Sequence, residues 1–275
     1  MKKHYFRSAV AALLPLLLIA QPVEACTGFI IGKKLTADGS TLVGRTEDLE
    51  PNHNKNFVVR ERVYNKKGAI FEDAANGFQY PLPEISYKYT AVPDVTPDQG
   101  IFDEAGFNEY GVSISATVSA SANDKIQKVD PYVKDGLAES GLTSIVLPSV
   151  KTAREGVELI AKIVEEKGAA NIVTIADKEG VWYMEILSGH QYAAILFPED
   201  RFAVFPNTFF LGHVDLSDTE RTIASKDLEK VAKEANSYKE VDGKFHVSQS
   251  YNPPLQEADR SRVWSGIKSL DPSSP

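Results

Sequence analysis

The chain has 275 residues, 43% of them hydrophobic and 25% charged, with 30 Lys and Arg against 38 Asp and Glu. That composition suits a globular protein with a real core, and a formal charge of −8 argues against a nucleic-acid partner. One cysteine cannot form an internal disulfide, so packing alone must hold the fold.

Residues 1–25 read as a secretory signal peptide: basic Lys2, Lys3 and Arg7, an apolar run from Ala9 to Ala20, then Gln21-Pro22 ahead of Val23-Glu24-Ala25. An apolar run of about 12 residues is too short to span a bilayer, which takes about 20. The expectation is an exported chain, secreted or periplasmic, with no stable membrane insertion once the signal is removed. Residues 26–275 carry 27 Lys and Arg against 37 Asp and Glu, a formal −10, and their 250 positions favour one domain.

Residues 27–33 and 40–46 flank Asp38-Gly39, a strong hairpin signal, and are expected to pair antiparallel. Residues 56–64 alternate as a third strand with one wet face. Pro81, Pro83, Pro93 and Pro97 exclude a long regular element over 79–100, which reads as a surface loop or lid. Residues 111–118 read as a strand, and 171–176, 181–187, 192–197 and 202–205 as a four-strand meander. Thr152-Ala153-Arg154-Glu155 opens a helix with Val157, Ile160, Ile163 and Val164 on one face and Gly168 as its stop. Ser217-Asp218-Thr219-Glu220 signals a second, more polar surface helix to about residue 236. Beyond Ser248 there is little periodicity. Strands in runs, with helices in two blocks, predict an α+β fold with antiparallel sheets.

Four histidines beyond the first 25 residues show no ligand spacing, so no metal site and no cofactor are expected. There is no phosphate loop and no Gly-x-Ser-x-Gly elbow. Ser265-Gly266-Ile267-Lys268 matches Ser-x-x-Lys without its companion motifs, which chance explains.

The single thiol carries the argument. Val23 and Ala25 satisfy the small-residue rule for signal cleavage just before Cys26. Three readings stand: an inert buried cysteine, a lipid attachment point disfavoured by Glu24, and a nucleophile at a new N-terminus. In the third, Sγ attacks while the residue's own α-amino group, with an ordinary pKa of about 7.7–8.0, takes the proton. Such a site needs a cation near the thiolate and a carboxylate near the amine. Hairpin pairing can bring Arg45 and Asp48 to Cys26, although an Arg and an Asp at a strand end are more often a solvated ion pair.

Cys26-Thr27, Gly32-Lys33-Lys34, Asp38-Gly39-Ser40-Thr41 and Arg45-Thr46-Glu47-Asp48 resemble the opening of the dipeptidase A and secernin group. These N-terminal-nucleophile hydrolases are related to bile salt hydrolases and penicillin V acylases. The likeness continues through residues 89–95 and 108–112, Ser115-Ala116-Thr117, residues 180–185 and Gly189-His190. It implies a four-layer αββα sandwich of two antiparallel sheets and cleavage of the amide bond of dipeptides. It implies Cys26 as nucleophile and base, Arg45 holding the thiolate and Asp48 the α-amino group. Asn207, in Phe205-Pro206-Asn207-Thr208, becomes the oxyanion donor, against the plainer reading of a turn residue after proline. Arg262, in Ser261-Arg262-Val263-Trp264, would line the site. Two departures stand out: no acidic residue near Val118, and an end soon after Arg262, so the domain of residues 26–275 is expected to be incomplete at its C-terminus.

The expected partner is a small peptide, with a homo-oligomer left open. Two alternatives remain: an acylase acting on N-acyl amides of the bile salt or penicillin V type, and a non-catalytic lipoprotein acylated at Cys26.

Overall fold

The computed structural model describes residues 26–47, 54–93, 102–118, 120–169 and 171–274. The first hairpin pairs β1 (Thr27–Ile31) with β2 (Leu42–Thr46), antiparallel, Gly28 opposite Arg45. Its turn is tied by Asp38, which accepts hydrogen bonds from the Ser40 amide and hydroxyl, and Gly39 takes the left-handed backbone (φ +74°) that the turn requires.

The single strand expected over 56–64 is two short ones, β3 (Val58–Arg60) and β4 (Val63–Tyr64), with Phe57, Val59 and Val63 exposed. The proline-bearing stretch is not a plain loop as far as residue 93. β5 (Ile70–Glu72) pairs with β6 (Gln79–Pro81), β7 (Ile85–Ser86) with β4, and β8 (Tyr89–Ala91) with β3. These ribbons are two or three residues long, so a proline at a strand end, such as Pro81, breaks no central ladder. The rest of the expected lid lies outside the described residues.

β9 (Ala105–Phe107) and β10 (Ser113–Val118) follow, then α1 (Asp124–Val129), α2 (Glu139–Val146) and α3 (Ala153–Lys167). α3 begins as its sequence predicts. The Thr152 hydroxyl accepts from the Glu155 amide, and Gly168 stops the helix at φ +76°. β11 (Asn171–Asp177), β12 (Gly180–Ile186) and β13 (Tyr192–Leu196) form a meander, but β14 (Phe202–Phe205) leaves it to pair with β1. The expected fourth meander position is taken by β15 (Thr222–Ala224). That corrects the second helix. Residues 217–221 are turn, the Ser217 hydroxyl bonds Asp215 rather than capping a helix, and only α4 (Leu228–Glu234) is helical. The open edge of β13 recruits residues 222–224, a gain no local propensity anticipates. α4 is not a surface helix either, since Leu228, Val231 and Ala232 are buried. The stretch beyond Ser248 is not irregular: α5 (Val247–Tyr251) leads to α6 (Glu257–Leu270).

The result is a mixed α/β fold with a six-stranded antiparallel sheet, order β15-β13-β12-β11-β10-β9, and a three-stranded one, order β14-β1-β2. Alternation along β12 serves two cores. Trp182, Met184 and Ile186 face Val157, Ile160 and Val164 of α3, while Val181 and Tyr183 meet Ile30 and Phe205 of the smaller sheet and Leu228 of α4. Each fully buried large aliphatic contributes about 1.5–3 kcal/mol. On the other side of the smaller sheet α6 lies against β14, its Gly266 close to Val204. Among the described residues no helix is long and apolar enough to cross a membrane.

One contact fixes where the six-stranded sheet meets the ribbons. A Cβ on Gly106 would fall 1.8 Å from the Thr90 carbonyl oxygen, which is backbone and cannot turn aside. Gly106→Ala is expected to cost about 1–3 kcal/mol, as overpacked sites do, read as a lower urea midpoint at unchanged slope.

Candidate active site

Cys26 immediately precedes β1, and strand alternation puts it on the face shared by Gly28 and Ile30, towards the second core. Antiparallel register sets Arg45 opposite Gly28, and extending it one residue sets Glu47 opposite Cys26. With no side chain at Gly28, the Arg45 side chain runs along that face to Cys26, its Nη1 3.9 Å from Sγ. A guanidinium at that distance favours the thiolate.

Arg45 does not stand alone. Its Nη2 pairs with the Glu104 carboxylate and lies 3.8 Å from Glu47, while Lys55 bridges Glu47, at 2.8 Å, and Glu104. Two cations and two carboxylates thus share a pocket that is largely closed to water. Burial opposes the Arg45 charge, but Glu104 and Glu47 outweigh it and hold its pKa above the ordinary value. Burial, together with the neighbouring Glu47 carboxyl, pushes Glu104 up to about 7 against the pull of Lys55 and Arg45. Neither Lys55 nor Glu104 was legible in the sequence. Both sit in segments without periodicity; Glu104 reaches Arg45, and Lys55 reaches Glu47 and Glu104, only through tertiary folding, and the one available signal was the adjacent pair Asp103-Glu104 just ahead of a strand.

The other flank of Cys26 is built by β14. Phe205 lies opposite Gly28, so continuing the register brings Asn207 level with Cys26. Arg262, from the helix in the supposedly irregular tail, ties the two together. Its Nη1 donates to the Cys26 carbonyl at 2.6 Å and to Asn207 Oδ1 at 2.8 Å. Its Nη2 pairs with Asp259 at 2.7 Å. The other Asp259 oxygen accepts from the Gln256 amide and closes the capping box of α6, so one carboxylate both starts the helix and aims its arginine. Engaging Asn207 through Oδ1 turns its Nδ2 end, the one with protons to donate, away from Arg262.

Four of the five residues singled out from sequence, Cys26, Arg45, Asn207 and Arg262, therefore come together. Asp48 lies outside the described residues. The Ser265–Lys268 match makes no catalytic pair: the Ser265 carbonyl accepts from Ser269, and Lys268 reaches Pro272 and Ser274. A cleft of about 440 Å³ adjoins the cation, with Arg45, Glu47 and Glu104 beside apolar Val43, Phe107 and Ile114; Cys26 does not line it. A larger groove of about 1280 Å³ runs along α6 past Phe209, Leu255, Val263 and Trp264; neither Cys26 nor Arg45 lines it.

A family model described as Peptidase family C69 matches residues 25–275. Over 252 residues the chain is 73% identical to a "Probable dipeptidase B" of Streptococcus pyogenes serotype M1, covering 91% of this chain and 51% of that protein. Over 211 residues it is 37% identical to a "Probable dipeptidase" of Latilactobacillus sakei, covering 76% of this chain and 44% of that protein. The chain spans about half the length of the curated relatives it matches. Among solved structures it is similar to a penicillin V acylase from Agrobacterium tumefaciens, 17% identical with a TM-score of 0.37 over 65% of this chain and 49% of the other. It is also similar to a mutant conjugated bile acid hydrolase from Clostridium perfringens, 12% identical with a TM-score of 0.34 over 91% and 75%.

Proposed function

The chain belongs to Peptidase family C69, and from that premise we propose that it hydrolyses the amide bond of dipeptides with Cys26 as an N-terminal nucleophile, after export and removal of residues 1–25. The observation that carries the reading is the arrangement around Cys26: Arg45 3.9 Å from its sulfur on one side, and on the other Arg262 donating both to its carbonyl and to Asn207 Oδ1. The αββα sandwich belongs to the same reading, supported by the two sheets that share a core with α3 and α6 on their outer sides.

The α-amino group of Cys26 accepts the thiol proton, and the thiolate, steadied by Arg45, attacks the scissile carbonyl carbon. The carbonyl electron pair moves to oxygen, where Asn207 Nδ2 donates to the oxyanion. Collapse breaks the C–N bond, and the departing amine takes the proton held by the α-amino group. Water then attacks the thioester, its proton passing to the α-amino group, and the acid leaves as the thiol is restored. Arg262 fixes the Cys26 backbone so that amine and sulfur keep their orientation, and Asp48 is the carboxylate assigned to the amine.

The test compares a dipeptide panel with conjugated bile salts and penicillin V, on protein whose mature N-terminus has been verified by intact mass. Turnover of dipeptides is expected. Turnover of N-acyl amides alone would move the assignment to an acylase, and a mass several hundred daltons too high would identify a lipoprotein. Because the amine must be neutral to accept a proton, kcat/KM should fall as pH drops below its pKa, ordinarily about 7.7–8.0 and lowered by a nearby cation. A flat profile down to about pH 4 contradicts an amine acting as base.

A further inference from the structure

We propose that Glu185 is a positioning residue for the reaction, a buried carboxyl that anchors the backbone of residues 209–211 and through it the Asn207 side chain; the catalytic half of this rests on the amide-hydrolase reading above. Glu185 is fully buried on β12, in the same layer as Tyr183. Its Oε1 accepts three hydrogen bonds: from the Tyr183 hydroxyl at 2.7 Å, from the Leu211 amide at 3.2 Å and from the Phe210 amide. Its Oε2 is buried with no hydrogen-bond partner among the described residues. An apolar core accepts such a group only at a cost, which points to a task rather than to packing.

The task is visible in the chain it holds. Asn207 sits three residues ahead of Phe210, past the end of β14, in a segment with no ladder of its own. Asn252, the C-cap of α5, takes the next residue back: its Oδ1 accepts from the Phe209 amide at 2.8 Å and its Nδ2 donates to the Phe209 carbonyl at 2.7 Å. The Leu211 carbonyl accepts from Ser248 at 2.8 Å. Two side chains, one from β12 and one from α5, thereby bond the backbone of three consecutive residues and fix the height at which Asn207 meets Arg262 and Cys26. An acceptor alone would serve the amides, but a carboxyl also responds to pH. Burial pushes Glu185 up to about 7, against the pull of the Phe210, Tyr183 and Leu211 donors. The titratable groups on the elements around it are Tyr183 on its own strand, His213 beyond Leu211, and His246 and Tyr251 at α5; no cation pairs with it among the described residues.

The test uses the full chain and the variants Glu185→Gln, Glu185→Ala and Asn252→Ala. Amide hydrogen exchange at residues 209–211, measured without substrate, reads the anchor directly. Glu185→Gln keeps an acceptor oxygen and should leave exchange and kcat within about threefold of the parent. Glu185→Ala should speed exchange at Phe210 and Leu211 by about tenfold, the worth of a lost hydrogen bond, and lower kcat by about ten- to hundredfold with little change in KM. Asn252→Ala should do the same at Phe209. Since the folded pKa lies above the ordinary carboxyl value, Glu185 favours the folded state most at acid pH and less as pH rises through about 7. The parent Tm should therefore fall between pH 5 and 8 more steeply than that of Glu185→Gln, a comparison that decides even if Glu185→Ala does not fold. Unchanged exchange in Glu185→Ala, or equal damage from Gln and Ala, overturns the proposal. A parent that hydrolyses no dipeptide overturns the enzymatic reading instead and leaves the exchange result to judge the anchor.

Discussion

Cys26→Ala will abolish dipeptide hydrolysis, a loss of at least about 10⁴ in kcat, and one extra residue ahead of Cys26 will do nearly the same. The two variants remove different things. Alanine deletes the sulfur and leaves any contribution from the oxyanion donor and from substrate binding, so some rate over water survives. The added residue keeps the sulfur but turns the amine into an amide, which cannot accept a proton at any accessible pH. Equal collapse in both is the signature of a nucleophile and base on one residue. Neither variant should unfold the protein, because Cys26 is only half-buried and packs at the rim of the second core. Full activity of the extended form would place the base elsewhere, and matched urea curves would show that any loss is chemical.

Arg45→Ala carries the second large effect, about 10²–10³ in kcat/KM, together with a loss of stability. Its guanidinium does two jobs at once: Nη1 faces the Cys26 sulfur, and Nη2 holds the buried Glu104. Removing it lowers the thiolate fraction, which iodoacetamide alkylation reports without any substrate. It also leaves Glu104 with Lys55 as its remaining cationic partner, and breaking a buried pair costs about 3–5 kcal/mol. Arg45→Lys should recover part of the stability and little of the rate, since a single ammonium cannot fork between sulfur and carboxylate. An unaltered alkylation profile in Arg45→Ala would remove Arg45 from the chemistry and leave it a structural ion pair.

The electrostatics of the site explain why these two predictions are separable. Glu104 and Glu47 neutralise and hold Arg45, and Lys55 pairs with both carboxylates, so substitution of any of the three acts through the Arg45 cation. The Glu104 carboxyl, raised to about 7, sheds part of its charge as pH falls through neutrality, which strengthens the field of Arg45 at Cys26 while the amine is being lost as a base.

Much of this protein was legible wherever a signal is local. The Asp38-Gly39 turn, the Thr152 cap and the Gly168 stop each act within four residues, and each forms as its sequence dictates. The β1–β2 pairing expected from it does form, but over Thr27–Ile31 and Leu42–Thr46 with a 3-10 turn at Lys33–Leu35 between them, so the register that brings Arg45 to Cys26 is not that of a two-residue Asp38-Gly39 turn. Cys26, Arg45, Asn207 and Arg262 were named from motifs, and those four meet in space.

Tertiary structure decided what depends on partners far along the chain. β14 looks like one more meander strand, but pairing with β1 carries Asn207 across to Cys26, and β15 fills the edge it leaves. Residues 217–224 show a helix start, yet the open edge of β13 outbids a weak local preference, since sheet bonds and burial exceed the few tenths of a kcal/mol that propensity supplies per residue. α6 buries no residue fully, so its sequence has no clear apolar stripe, and Arg262 gains its role only where the helix crosses β14. Glu104 and Lys55 carry no motif, and Glu185 closes the family-like stretch 180–185 with no role attached to it there. Their significance arises from burial and from which charges or amides they meet there, quantities that exist only once the chain has folded.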